Sequence, residues 1–242
     1  MCSSDLGGEL TTFYRVTVAS RLVWLEGSWT SEIHQELTSP EIVEKVLGAH
    51  GLKETKKLLS ATYPPRTYCV QYQETALAFV SRLAEDDGYW LLAEPTDEGD
   101  ETIILADRSD AAEALAGDPV LHLRLDAGLD VTGDRLVRVD VAESIRSGSF
   151  SLRDYAFETP SLDLTVNATG GARPDLEVYD FPGNYADPGE GKRRAKLRLE
   201  EEQAAAREIE ILADCHRLVP GRKIELAETD DADGEYFVVG VV

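Results

Sequence analysis

An acidic run at residues 230–235 contains the most obvious potential metal ligands in the sequence. Oxygen-rich loops of this kind bind calcium when a glycine occupies the sixth position and a glutamate the twelfth. With Gly234 at the sixth position, Thr229 falls at the first and Gly240 at the twelfth, where the glutamate is required. The spacing therefore excludes this calcium motif. The Asp233-Gly234 pair instead predicts a solvated hairpin turn.

The dipeptide Cys215-His216 places a potential thiolate nucleophile beside a potential base. Neighbours in a chain usually point in opposite directions, and a nucleophile–base pair is defined in space rather than in sequence. We therefore do not expect this pair to be catalytic. The other two cysteines, Cys2 and Cys69, lie far away in the sequence, so the three fit neither a disulfide framework nor a CxxC knuckle.

No other catalytic or binding motif is present. The four histidines lack the spacing of a metal site: His34, His50, His122 and His216. There is no GxSxG, P-loop or GxGxxG sequence. The carboxylates Glu85-Asp86-Asp87 are typical of a helix end that faces water. We predict no catalytic, cofactor-binding or metal-binding residues and no enzymatic activity.

Charge and length limit the classes of partner. The 242 residues contain 46 acidic and 24 basic side chains, giving a net charge of −22. Such a field repels phosphate backbones and anionic lipids, so nucleic acid and membrane surfaces are poor partners. The apolar runs are shorter than the ~20 residues of a membrane-spanning helix. Residues 1–10 have no basic start or apolar core, so no secretory signal is visible.

The first half of the chain predicts a small α+β unit. Alternation over Phe13–Ala19 predicts a strand, and the apolar segment Leu22–Leu25 follows it. Ser39-Pro40 predicts a helix start, with an end near Gly48 or Gly51. A second helix is expected from Thr75 to Asp87, with Gly88 as its stop. Short strands are expected nearby at Thr67–Tyr72, Tyr89–Ala93 and Thr102–Ala106.

The second half, beyond a soft boundary at 109–119, is predominantly β in pattern and favours a barrel or sandwich. Strands are expected at His122–Asp126, Arg135–Ile145, Phe150–Phe157, Leu176–Tyr179, Arg222–Leu226 and Glu235–Val242. One helix is expected from Glu190 to about Ala213, with Ala195, Leu199, Ala206, Ile209 and Ala213 on one side. Lys196 with Glu200 and Arg198 with Glu202 would form (i, i+4) pairs along it.

Several ordered segments resemble one protein family. Tyr68–Thr75 followed by Phe79–Tyr89 is similar to the signature CVQYxES…DFxSRLxExxG of VgrG proteins, the spike proteins of type VI secretion systems. Thr30–Val43 resembles the segment before the first helix of that family. Further matches follow in the same order: Leu105-Ala106-Asp107, Thr159-Pro160-Ser161, residues 179–183, residues 191–195 and residues 218–222. Tyr89-Trp90 stands where the family often has a run of aromatic residues.

The resemblance implies an α+β, predominantly β protein related to phage tail hubs and late control D proteins. It divides the chain into remnant strands of a first hub barrel at 11–27, a small α+β domain at 28–108, and a second tail-hub-type antiparallel β-barrel at 118–242 with one inserted helix at about 190–213. Residues 1–10 are expected to be non-native. The leading strands, the neck and the needle of the family are expected to be missing.

The resemblance also implies a mechanical role. The hub would join the hexameric Hcp tube to a trimeric needle and carry effectors into target cells. Expected partners are two further copies of the full-length chain, the Hcp ring, baseplate proteins and effectors or adaptors, with no cofactor. The protein would stay in the bacterial cytoplasm before firing and leave through the apparatus without a signal peptide. The alternatives are a contractile phage tail hub, a phage-like particle hub and a spike-attached hydrolase.

Overall fold

The computed structural model describes residues 16–124 and 133–242. Within them the chain forms three α-helices: α1 (Ser39–Ala49), α2 (Ala76–Asp87) and α3 (Pro188–Ala204). The strands are β1 (Trp29–His34), β2 (Thr55–Leu58), β3 (Cys69–Thr75), β4 (Trp90–Pro95), β5 (Glu101–Ala106), β6 (Val120–His122), β7 (Arg135–Glu143), β8 (Ser149–Asp154), β9 (Leu164–Thr169), β10 (Glu177–Asp180), β11 (Arg207–Asp214), β12 (Lys223–Ala227) and β13 (Gly234–Phe237).

Local signals set the ends of α1 and α2. The N-cap of α1 is Thr38, one residue before the predicted Ser39, and Thr38 and Glu41 form a reciprocal capping box. Thr75 caps α2 by accepting a hydrogen bond from the amide of Ala78. Gly88 ends α2 in the left-handed conformation at φ 75°, as its sequence position predicts.

The described residues up to 112, here called the N-terminal unit, have their own core. Its buried members lie between Leu25 and Leu105 and come mainly from the facing sides of α1 and α2 together with β5. Parallel pairing of β2 with β5 and antiparallel pairing of β4 with β5 build a three-stranded sheet. Strands β1 and β3 form a separate antiparallel pair.

The described residues from 113 onward, the C-terminal unit, contain two smaller cores. One lies between α3 and the sheet β10-β8-β9 and includes Phe150, Leu164 and Leu199. The other includes Leu121 and Leu136 and lies between β7 and the sheet β13-β12-β6. Strands β7 and β11 form a long antiparallel ribbon. The sheets of the described residues have two or three strands each, so a closed barrel stays a prediction.

The predicted helix from Glu190 to Ala213 is wrong in its second half. Helix α3 ends at Ala204, and Arg207–Asp214 is strand β11. The alternation of Ile209 and Ile211 with glutamates has the two-residue period of a strand, and these isoleucines pair with Val141 and Val139 of β7. Lys196–Glu200 does form, at 3.5 Å, whereas Arg198 pairs with Glu201 instead of Glu202.

The N-terminal strands are not seen where the sequence pattern placed them. Residues 13–15 lie outside the described residues, residues 16–20 form no strand, and Arg21–Gly27 is a 3₁₀ helix. Its N-cap is Ser20, whose hydroxyl accepts a hydrogen bond from the amide of Leu22. Sequence periodicity also missed β1, β2 and β9.

Candidate functional site

The acidic run at 230–235 lies in a hairpin connection, as its sequence predicts. Strands β12 and β13 pair antiparallel; residues 230–233 lie in the connection between them, and Gly234 and Glu235 begin β13. The carboxylate of Asp233 accepts hydrogen bonds from the amide and hydroxyl of Thr229, at 2.8 and 2.7 Å. These donors lower the pKa of Asp233.

Cys215 and His216 do not form a catalytic pair. The Cys215 thiol is half-buried and lies 3.2 Å from a carboxylate oxygen of Asp134, whereas His216 is exposed. Burial and the hydrogen bond to Asp134 raise the pKa of Cys215, which disfavours the reactive thiolate. Arg217 donates a 2.6 Å hydrogen bond to the same carboxylate, so the arrangement is a structural ion pair.

Two clefts among the described residues do not bring polar groups together around a ligand. A groove of about 360 Å³ is lined mainly by apolar side chains, among them Leu22, Leu77 and Trp90. A second cleft of about 240 Å³ contains Asp107, whose carboxylate already accepts hydrogen bonds from Ser60, Ala61 and Tyr63. Among the described residues, no group of three or more potential metal ligands is close enough to hold an ion.

The prediction of a solvated helix end at α2 is wrong for Asp86 and Asp87, whereas Glu85 is exposed as predicted. Asp87 is 3% exposed and Asp86 is largely covered. Both accept hydrogen bonds from Arg66, at 2.9 and 2.6 Å, and from Arg194 of α3, at 3.2 and 3.1 Å. Sequence periodicity could not reveal this, because Arg66 lies outside the helix and Arg194 comes from an element over one hundred residues away.

These residues belong to a larger group of alternating charges. We call it the Asp87 cluster, and it consists of Arg66, Asp86, Asp87, Glu190, Arg193, Arg194 and Arg198. Burial alone would raise the pKa of Asp86. The charge of Arg194 and the hydrogen bond from Arg66 outweigh it, so the pKa lies below its usual range. The cluster is therefore a set of neutralised ion pairs and not an open anion site.

The β7–β11 ribbon is incompletely covered by the rest of the described chain. Its inner side carries Val139, Val141, Ile209 and Ile211, which are only partly buried. Its outer side places Asp140 directly opposite Glu210 and leaves Leu212 54% exposed. A long ribbon whose apolar side is incompletely covered within the described chain is a surface that another protein can cover.

A second exposed apolar surface lies on the β1–β3 pair. Ile33 and Val70 are cross-strand partners. Tyr68, which immediately precedes β3, and Tyr72 of β3 alternate with the buried Cys69 and Gln71. Ile33, Tyr68 and Tyr72 are all more than half exposed. None of the described helices has the length and apolar character that crossing a bilayer requires.

Comparison with known proteins identifies relatives of this chain. It is 34% identical over 235 residues to the type VI secretion system spike protein VgrG4b of Pseudomonas aeruginosa, covering 95% of this chain and 29% of that protein. It is 28% identical over 225 residues to the spike protein VgrG3 of Vibrio cholerae, covering 91% of this chain and 22% of that protein. The chain thus spans about a quarter of the length of these relatives.

Solved structures show the same fold. The Escherichia coli c3393 protein, a type VI secretion component, aligns with a TM-score of 0.59 and 21% identity over 87% of this chain and 44% of its own. The 43 kDa tail protein of prophage MuSo2 from Shewanella oneidensis aligns with a TM-score of 0.60 and 14% identity. The alignment covers 90% of this chain and 66% of the tail protein. The fold is therefore a predominantly β, phage-tail-like fold with helices.

The family assignment rests on almost the whole sequence. A model of the family described as phage tail baseplate hub (GPD) matches residues 3–242. This is a family of structural tail-hub proteins and not of enzymes, in agreement with the sequence prediction. The chain belongs to the phage tail baseplate hub family and is related to the VgrG spike proteins of type VI secretion systems.

Proposed function

We propose that this chain is the hub portion of a type VI secretion spike, where it joins the hexameric Hcp tube to a trimeric needle. The observation that carries the proposal is the family match over residues 3–242, together with the identity to spike proteins. The protein would act by shape and contact, transforming no substrate and binding no cofactor.

In this role the chain works as a homotrimer within the full-length protein. The sheets of residues 118–242 belong to a hub barrel, and residues 28–108 form the α+β domain beside it. The partly buried valines and isoleucines of the β7–β11 ribbon support a surface that is completed by assembly. Leu212 is 54% exposed on the outer side and would be buried in a second contact, on the opposite face of the ribbon.

The remaining partners follow from the same role. The hub contacts the Hcp ring and baseplate proteins, and it carries effectors or adaptors on the spike. Before firing it resides in the bacterial cytoplasm, and the apparatus exports it without a signal peptide. The charge of −22 supports this role, because it limits non-specific association before assembly.

The test measures assembly and secretion together. In the producing bacterium, deletion of the gene should abolish release of Hcp into the medium, and the wild-type gene should restore it. Restoration by the Leu212→Arg variant should be impaired, because arginine places a charge on the ribbon. Glu98→Arg, at the exposed turn between β4 and β5, is the matched control and should restore release. Normal Hcp release after deletion would refute the proposal.

The hub of a contractile phage tail or phage-like particle is the second candidate. The prophage tail protein favours it, because that protein aligns with this chain at a TM-score of 0.60 and the secretion component aligns at 0.59. The two candidates differ in their tube protein. Binding of the full-length protein to a phage tail tube protein, without binding to Hcp rings, would decide for the phage particle.

A further inference from the structure

The two units of the chain are separately packed and touch through a small number of specific contacts. The buried residues of the first core end at Leu105, and those of the other two begin at Leu115. Helix α3 has Ala195 and Leu199 buried against the sheet of the C-terminal unit. Its arginines Arg193 and Arg194 reach the N-terminal unit.

The first contact is the Asp87 cluster. Arg66 holds Asp86 and Asp87 from within the N-terminal unit, while Arg194 holds the same two carboxylates from the C-terminal unit. Arg193 adds a 3.1 Å hydrogen bond to the main-chain carbonyl of Asp87 and lies over the ring of Tyr63. Each carboxylate is thus enclosed between guanidinium groups of both units.

Such a contact fixes the relative orientation of the two units more than it adds to the stability of the chain. Burying ion pairs costs desolvation energy that their attraction only partly returns, so the net stabilisation is modest. The bonds of a guanidinium to a carboxylate are directional, however, and a shifted α3 would leave Asp87 buried without its partners. Only a narrow range of angles between the units satisfies all these charges.

A second contact lies on different elements of both units. Arg222, immediately before β12, donates hydrogen bonds to Glu94 of β4 in the N-terminal unit and to Glu113 in its own unit. Beside it the rings of Trp90 and Phe237 lie 5.4 Å apart. A single contact would leave the units free to rotate about it, whereas two contacts on separate elements remove that freedom.

We propose that the Asp87 cluster and the Arg222 contact form a two-point joint that locks the N-terminal and C-terminal units at one angle. The joint does not depend on the hub role, because it concerns two parts of a single chain. In a hub it would let the units move as one body under load.

The test measures the distance between the units by pulsed electron spin resonance. Spin labels are placed at the exposed positions Glu98 and Glu158, one in each unit, by Glu98→Cys and Glu158→Cys. In this background the native cysteines are replaced by serine or alanine, and folding is checked by near-ultraviolet circular dichroism. The variants are Asp87→Asn and Arg194→Gln in the cluster and Arg222→Gln in the second contact.

The wild-type joint should give one narrow distance distribution, and each joint variant should broaden it at least twofold. The matched control is Lys196→Gln, because Lys196 is exposed on the same helix and pairs with Glu200. A folded Asp87→Asn or Arg194→Gln variant with the distribution of the control would overturn the proposal. If both cluster variants fail to fold, the proposal is also wrong, since the cluster would then be part of the core and not a joint.

Discussion

Leu197 of α3 packs directly on Gly88, the residue that ends α2, and leaves no room for a Cβ atom there. Gly88 also has positive φ, which costs other residues roughly 1–2 kcal/mol. Both the turn and the close approach of the C-terminal unit therefore require glycine at this position.

Gly88→Ala should lower the free energy of unfolding by about 1–3 kcal/mol more than Gly51→Ala does. Gly51 has a similar φ of 85° but no neighbouring atom near an added Cβ, so it isolates the cost of the backbone conformation. Urea denaturation measures both variants. A Leu197→Ala background should remove most of the difference, and equal effects of the two substitutions would contradict the close packing.

Tyr185→Phe should destabilise the protein by about 1 kcal/mol, because the buried hydroxyl donates to a backbone carbonyl of the β8–β9 pair. That hydroxyl lies 3.1 Å from the carbonyl oxygen of Leu152 and also contacts the carbonyl of Leu164. Thermal denaturation measures the loss. Tyr179→Phe, at an exposed tyrosine of β10, is the control and should leave the melting temperature unchanged.

Asp107→Asn should lower the free energy of unfolding by about 1 kcal/mol at neutral pH, because it weakens the hydrogen bonds that hold the segment around Ser60. Burial raises the pKa of Asp107, but hydrogen bonds from Ala61, Ser60 and Tyr63 outweigh it and lower the pKa overall. This stabilisation is present above the ordinary pKa of 3.8 and is lost as the pH falls below it.

The acid dependence provides the check on Asp107. Unfolding monitored between neutral and acidic pH should show a weaker acid sensitivity in Asp107→Asn than in the wild type. Asp110→Asn is the control, because Asp110 is exposed and pairs with Arg108 on the surface. An unchanged acid sensitivity in Asp107→Asn would contradict the role of this carboxylate.

His34 should make stability depend on pH in the mildly acidic range. Its ring is buried and stacks on Phe79, and neither ring nitrogen has a hydrogen-bond partner among the described residues. Burial and the nearby charge of Lys45 lower its pKa from 6.5. The unfolded state therefore takes up a proton first, and stability falls as the pH drops below 6.5.

Chemical denaturation at several pH values measures this dependence. The decrease in the free energy of unfolding should approach, but not exceed, about 1.4 kcal/mol per pH unit as the pH falls, and His34→Leu should remove this decrease. The exposed His216 serves as the control, since His216→Gln should keep the wild-type slope. A slope that persists in His34→Leu would assign the effect to another group.

Glu210→Lys should raise the melting temperature. Glu210 lies directly opposite Asp140 on the outer side of the ribbon, and opposite charges at such a pair stabilise it by about 0.2–1 kcal/mol relative to a neutral pair. Scanning calorimetry measures the shift. Glu210→Gln should give a smaller gain, and a lower melting temperature in Glu210→Lys would contradict the cross-strand register.

The sequence alone determined the elements whose signals are local. The capping and proline signals around Ser39-Pro40 located α1, and Gly88 located the end of α2, because caps and left-handed turns depend on neighbouring residues. The ordered motifs also identified the family, which the comparisons confirm.

The tertiary structure decided what depends on distant partners. Ile209 fits the face of the predicted helix by sequence, but it forms a strand together with Ile211 because Val141 and Val139 of β7 pair with them. Asp86 and Asp87 have the pattern of a solvated helix end, yet they are covered because α3 brings Arg194 against them. Burial and charge neutralisation are properties of contacts between remote segments, so periodicity along one segment cannot predict them.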